Sequence, residues 1–120
     1  MTKVIVFEDN DDLRALLRMA LERDGHHVES FPDVRNVVDT VVAVDPDVIL
    51  MDLRMPGVDG EEAIVKLRAD ARTADAPVIL VSADHRAAAV ASRLGVVHVD
   101  KPFPLTELRH AITRVRDPLS

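Results

Sequence analysis

The sequence predicts an α/β domain, a doubly wound (βα)5 parallel sheet, on three observations. Short apolar runs of strand length alternate with longer segments of helical period along the whole chain. Those runs are β-branched or aliphatic almost throughout, as strands covered on both faces require. Glycines stand just past two of the helical segments, where a left-handed residue ends a helix before the next strand. With 120 residues, 48% of them hydrophobic, the chain suits one domain over 1–120 with a buried core.

The first strand is expected at Val4 to Phe7. Leu13, Leu16, Leu17, Ala20 and Leu21 then recur at i, i+3, i+4, i+7 and i+8, one apolar stripe of a helix, with Asn10 or Asp11 placed to cap it and Gly25 beyond its end. Val28 to Phe31 is the second strand, and Val34, Val37, Val38, Val41 and Val42 repeat the helical spacing. Val48 to Met51 follows as the third strand, with a weaker stripe at Ala63, Ile64 and Leu67. Asp70 to Ala76 reads as a polar surface loop before Pro77 and the fourth strand, Val78 to Val81. Ala87, Val90, Ala91 and Leu94 form the next stripe, closed by Gly95; Val96 to Val99 is the fifth strand; and Leu105, Leu108, Ile112 and Val115 make the last helix before Pro118.

Composition excludes several functions. The net charge of −6, with both signs interspersed, provides no basic footprint for nucleic acid or an anionic membrane. The absence of cysteine removes disulfides, thiolate metal sites and a cysteine nucleophile. No apolar run approaches the ~18 residues of a membrane span, and the first strand begins too early for a leader peptide, so a cytoplasmic protein is expected.

Ligands of an open α/β sheet gather outside the carboxyl ends of its strands. Reading there in order gives Glu8 and Asp9, with Asp11 and Asp12 behind them, then Asp52, Ser82 and Lys101. Carboxylates meeting at one sheet edge repel one another and call for raised pKa values or a cation. A hard divalent ion such as Mg2+ takes one or two carboxylates plus phosphate and water, which matches this donor set. Each residue alone has a blander account: acids that favour the next helix N-terminus, or polar groups at the surface. Their joint placement at successive strand ends favours a site.

These residues carry a family resemblance. The segments Val4 to Asn10, Asp47 to Gly60, Val78 to Ala83 and Val99 to Phe103, above all ILMDLRMPGVDG and VDKPF, resemble the receiver domain of two-component response regulators over essentially the whole chain. The resemblance implies a flavodoxin-like strand order 2-1-3-4-5. It implies Asp52 as phosphoacceptor, with Ser82 and Lys101 contacting the phosphoryl group. Mg2+ would be held by Glu8, Asp9, Asp52 and the backbone carbonyl of Arg54. A cis bond before Pro102 is implied too, while Pro56, Gly57 and Gly60 would shape the loop after Asp52. Phosphate would come from a sensor histidine kinase or a histidine phosphotransfer protein, with Arg14, Arg18 and Glu22 as candidate contacts. Such a domain supports its own phosphorylation and dephosphorylation rather than acting on an external substrate. Its output is a protein partner or an effector domain of a longer chain, with residues 117–120 either a terminus or the start of a linker.

One position departs from the family: three residues before the lysine, where an aromatic switch residue is usual, stands His98. In the family, the positions of Arg54 and Asp84 line the water path to the phosphorylated aspartate, and their opposite charges would allow them to pair across it. An aspartate-nucleophile phosphatase would need a second Asp where Arg54 stands. A nucleotide- or flavin-binding domain would need a Gly-rich or hydroxyl-rich loop where the acids Glu8 to Asp12 would repel phosphate.

Overall fold

The computed structural model describes residues 2–55 and 57–116; Met1, Pro56 and residues 117–120 lie outside it. The elements alternate strictly: β1 (Lys3–Phe7), α1 (Asp11–Arg23), β2 (His27–Phe31), α2 (Val37–Val44), β3 (Val48–Met51), α3 (Gly60–Ala69), β4 (Val78–Ser82), α4 (Ala87–Leu94), β5 (Val97–Asp100) and α5 (Leu105–Arg116). All strand pairs are parallel, in the order β2-β1-β3-β4-β5.

Alternating side chains divide the core between the two faces of the sheet. Val4, Val6, Leu50, Ile79 and Val81 face α1 and α5, meeting Leu17, Leu21, Leu108 and Ile112. Ile5, Phe7, Ile49, Met51 and Leu80 face α2, α3 and α4, meeting Val41, Ile64, Leu67 and Val90. Both faces of the central strands are therefore dry, which is why those strands read as unbroken apolar runs.

Caps set where the helices start. The Asn10 side chain accepts from Leu13 N at 2.9 Å, and Asp59 accepts from Glu62 N at 3.0 Å. The second helix is shorter than its valine stripe implies. Val34 is buried, but Arg35 is folded back onto Asp33 and Asn36 adopts φ 55, so the helical path begins only at Val37. The fifth strand is displaced by one residue, to Val97–Asp100, because Gly95 at φ 69 closes α4 and Val96 is spent on the crossing. Residues 70–76 form the expected loop before β4, ordered as a turn: Thr73 Oγ1 donates to Leu67 O at 2.7 Å, and Arg68 Nη1 donates to the carbonyls of Ala74 and Ala76. None of the described helices is long and apolar enough to cross a membrane.

Three backbone bonds extend the ladders beyond the strands at their carboxyl ends. Glu8 N donates to Phe31 O, Asp52 N to Phe7 O and Lys101 N to Ser82 O, each at 3.1 Å. The backbone that follows β1, β3 and β5 is thus held in the ladder at Glu8, Asp52 and Lys101.

Candidate functional site

Glu8 and Asp52 sit at the carboxyl ends of adjacent strands and are 3% and 6% exposed. Two carboxylates so placed are costly without a cation. Lys101 provides one, donating from Nζ to Glu8 Oε1 at 2.6 Å and to Asp52 Oδ2 at 3.2 Å. Burial alone would lower the lysine's pKa, but the Glu8 hydrogen bond and the charges of Asp52 and Glu8 outweigh it and hold the ammonium above its ordinary range. The Lys101–Pro102 bond is cis.

Asp9 completes the cluster from a more exposed position. Partial burial, with a hydrogen bond to and the charge of Glu8, raises its pKa. One oxygen each from Glu8, Asp9 and Asp52 lie within 4.8 Å of one another. Around a six-coordinate Mg2+ with bonds of ~2.1 Å, oxygens stand ~2.9 to 4.2 Å apart, so the cluster needs little closure to grip one. Charge gives the same answer: three carboxylates and one ammonium leave a balance that a single divalent cation cancels.

Ser82 ends β4, 1% exposed, and its Oγ accepts from Asp84 N at 3.0 Å. As acceptor in that bond, the hydroxyl keeps its own proton for another partner. Arg54 N donates to Asp52 Oδ1 at 3.3 Å. Its guanidinium, 77% exposed, turns instead toward Asp84, with Nε 3.8 Å from Oδ2.

Asp84 has a closer partner that the sequence reading did not single out. Its carboxylate accepts from Arg86 N at 2.8 Å, Nε at 3.1 Å and Nη2 at 3.1 Å, and this hydrogen bonding lowers its pKa to about 2. The signal lay in the order Asp-x-Arg. The same fold-back joins Arg35 to Asp33 and Arg72 to Asp70, where an Asx turn brings the guanidinium round to its own aspartate.

Gly60, read as a loop residue, is the first residue of α3 and packs on the phosphoacceptor candidate: a Cβ there would stand 2.2 Å from the carbonyl oxygen of Asp52. Gly57 adopts φ 80, as a turn residue should. His98 is largely buried on β5. Its Nε2 lies 3.0 Å from Asp100 Oδ1, in a geometry that makes no hydrogen bond. Arg14 is held within the chain, donating to Glu8 O at 2.9 Å and Asp11 Oδ1 at 2.6 Å, whereas Arg18 and Glu22 form a loose exposed pair. Beside Lys101 runs an apolar groove of about 380 Å³ between α1 and the start of α5, lined by Leu13, Leu16, Leu17, Ala83, Phe103 and Leu105 among others.

Comparison with known proteins agrees with this geometry. Residues 4–113 match the family model of the response regulator receiver domain. The chain is 33% identical over 118 residues to the regulatory protein AtoC of Escherichia coli, covering 95% of this chain and 25% of that one. It is 36% identical over 107 residues to the transcriptional regulatory protein CseB of Streptomyces coelicolor, covering 85% and 44% respectively. It therefore spans less than half the length of either curated relative. Among solved structures, the receiver domain of a sensor histidine kinase from Pseudomonas aeruginosa, with magnesium coordinated in its active-site cleft, superposes with a TM-score of 0.87 at 25% identity, covering 96% of this chain and 97% of that one.

Proposed function

The chain belongs to the response regulator receiver domain family, and from that premise we propose that it is a phosphorylation switch in which Asp52 accepts the phosphoryl group. The observation that carries this is the buried Asp52 carboxylate, bonded to Lys101 beside two further acids, at the carboxyl edge of a parallel sheet.

An Asp52 oxygen attacks the phosphorus of a phosphohistidine on a sensor histidine kinase or histidine phosphotransfer protein. A P–O bond forms as the P–N bond breaks, and the electron pair returns to the imidazole nitrogen. Mg2+, held by Glu8, Asp9, Asp52 and the backbone carbonyl of Arg54, would screen the charge of the phosphoryl oxygens. Lys101, already bonded to Asp52, follows its transformed oxygen and offsets the added negative charge. Ser82 donates a hydrogen bond through its free O–H to a phosphoryl oxygen, drawing the start of the β4–α4 loop inward. Water later cleaves the acyl phosphate and resets Asp52, so the turnover is of the domain's own modification and not of an external substrate.

Residues 1–120 act as a single receiver domain, in the cytoplasm. The groove beside α1, with Leu16 more than half exposed, suits the apolar flank of a helix presenting the phosphohistidine, and the exposed Arg18 and Glu22 of α1 are further candidate contacts. Output passes to a protein partner or, as the names of the longer relatives suggest, to a transcriptional effector domain. The domain itself makes no direct contact with nucleic acid or membrane.

Intact mass after incubation with Mg2+ and a small phosphodonor tests this. The protein gains one phosphoryl group, labile to hydroxylamine as a mixed anhydride is, and Asp52→Asn gains none. Undiminished labelling of Asp52→Asn removes the proposal.

A further inference from the structure

We propose that Arg86 is a positioning residue for the phosphoacceptor: by occupying Oδ2 of Asp84 from the start of α4, it limits the hold of Arg54 on that oxygen and so keeps the approach of water to Asp52 open. The inference rests on the assignment of Asp52 above.

Two guanidiniums compete for one oxygen. Asp84 Oδ2 lies 3.1 Å from Arg86 Nη2 and 3.8 Å from Arg54 Nε. Asp84 is the fixed member, its side chain only 4% exposed, whereas Arg54 is 77% exposed and has room to move. Between the two arginines lies an opening of about 320 Å³, lined by Asp9, Arg54, Met55, Asp59 and Arg86, which meets the acidic cluster at Asp9.

The Asp-x-Arg fold-back explains why Arg54 is available for this. At Asp33, Asp70 and Asp84 the aspartate binds both the backbone N–H and the guanidinium of the arginine two residues on. Asp52-Leu53-Arg54 has the same order but makes only the backbone bond, because Asp52 Oδ2 is taken by Lys101 and the carboxylate is buried. Arg54 is therefore the guanidinium that the phosphoacceptor leaves free, and the nearest carboxylate oxygen it meets is already shared. Loss of the Arg86 side chain leaves Oδ1 of Asp84 bonded to the backbone N–H of residue 86, so Asp84 stays in place while Oδ2 loses its donor at 3.1 Å. Arg54 then closes on Oδ2 and crosses the opening. His85 Nδ1, 3.7 Å from Oδ1, lies on the opposite oxygen and leaves Oδ2 to the two arginines.

Phosphoryl loss at pH 8 is measured after labelling wild type, Arg86→Ala, Arg86→Lys, Arg54→Ala and the Arg54→Ala/Arg86→Ala double variant. Arg86→Ala loses phosphate roughly two- to fivefold more slowly than wild type, the scale of one surface ion pair. Arg54→Ala sets the reference for the double variant, which loses phosphate at the same rate as Arg54→Ala, and Arg86→Lys recovers part of the wild-type rate. A merely structural role for Arg86 would not make its effect depend on Arg54. Arg86→Ala at or above the wild-type rate, or slowing that persists in the double variant, overturns the proposal. Failure of wild type to take up phosphate overturns the assignment of Asp52, and this inference with it.

Discussion

Replacing Gly60 by alanine sets two effects of opposite sign against each other. Helix propensity favours alanine over glycine by about 0.5 to 1 kcal/mol. Against this, the new methyl would stand 2.2 Å from the carbonyl oxygen of Asp52 and 2.9 Å from Leu53 Cα, both backbone atoms that cannot rotate away. An ordinary contact needs roughly 1 Å more, and forcing a close-packed site apart costs about 1 to 3 kcal/mol or more. The Gly60 N–H bond to Leu53 O, 2.7 Å, must stretch in the same movement. The clash should therefore win, with a net loss of about 1 to 2 kcal/mol. For a domain of this size that is a fall in Tm of roughly 3 to 10 °C. The affected peptide follows Asp52 itself, so labelling by a small phosphodonor should slow at least about tenfold, a misplacement of ~1 Å being enough to do so. Thermal melts and initial labelling rates report both effects. A Tm at or above wild type would show that α3 slides without cost and that the close approach of Gly60 is not what seats the Asp52 peptide.

Lys101→Met removes the cation between two buried carboxylates and should destabilise the metal-free protein by about 1 to 3 kcal/mol, less than a fully buried pair because the lysine is partly solvated. Mg2+ should bind this variant more tightly than wild type, while Asp9→Ala should bind it more weakly; equal affinities by calorimetry would mean that lysine and metal do not share the acids. Asp84, with its pKa lowered to about 2 by Arg86, should remain ionised at pH 3, where an aspartate at the ordinary 3.8 is mostly protonated. Since the folded value is the depressed one, the stability it contributes is complete above pH 3.8 and is lost as pH falls toward 2. Carboxyl-carbon NMR should find the titration moved up toward 3.8 in Arg86→Ala, and an unmoved titration would show that Arg86 is not its cause.

The fold was legible because its signals are local and repeated. Five apolar runs and the stripes between them report which faces are dry, and the described strands and helices follow them to within a residue or two at most boundaries. The exceptions have local causes as well. Val34 lies on the helical stripe but precedes α2 because Asn36 turns left-handed beside the Asp33–Arg35 fold-back, and a hydrophobic period carries no information about backbone sign. Gly60 was legible as a residue without a side chain. That its missing Cβ makes room for the peptide of Asp52, eight residues earlier, depends on how α3 packs, which no spacing encodes.

At the site, sequence reports which groups stand at the strand ends but not which oxygen each one holds. Lys101 reaches Glu8 across 93 positions and Asp52 across 49, and this choice of partners follows from the strand order β1-β3-β4-β5 rather than from any motif. Pairing Arg54 with Asp84 treats those two as the only charges near the opening. The geometry adds a third, Arg86, whose claim is stronger because a two-residue Asx turn fixes it with little conformational freedom to lose, while Arg54 must span two loops. Sequence-local bonds therefore decide the resting arrangement of the loop after β4. Arg54 remains the exposed cation beside the cluster, because Asp52, bonded to Lys101, holds its backbone N–H and not its guanidinium.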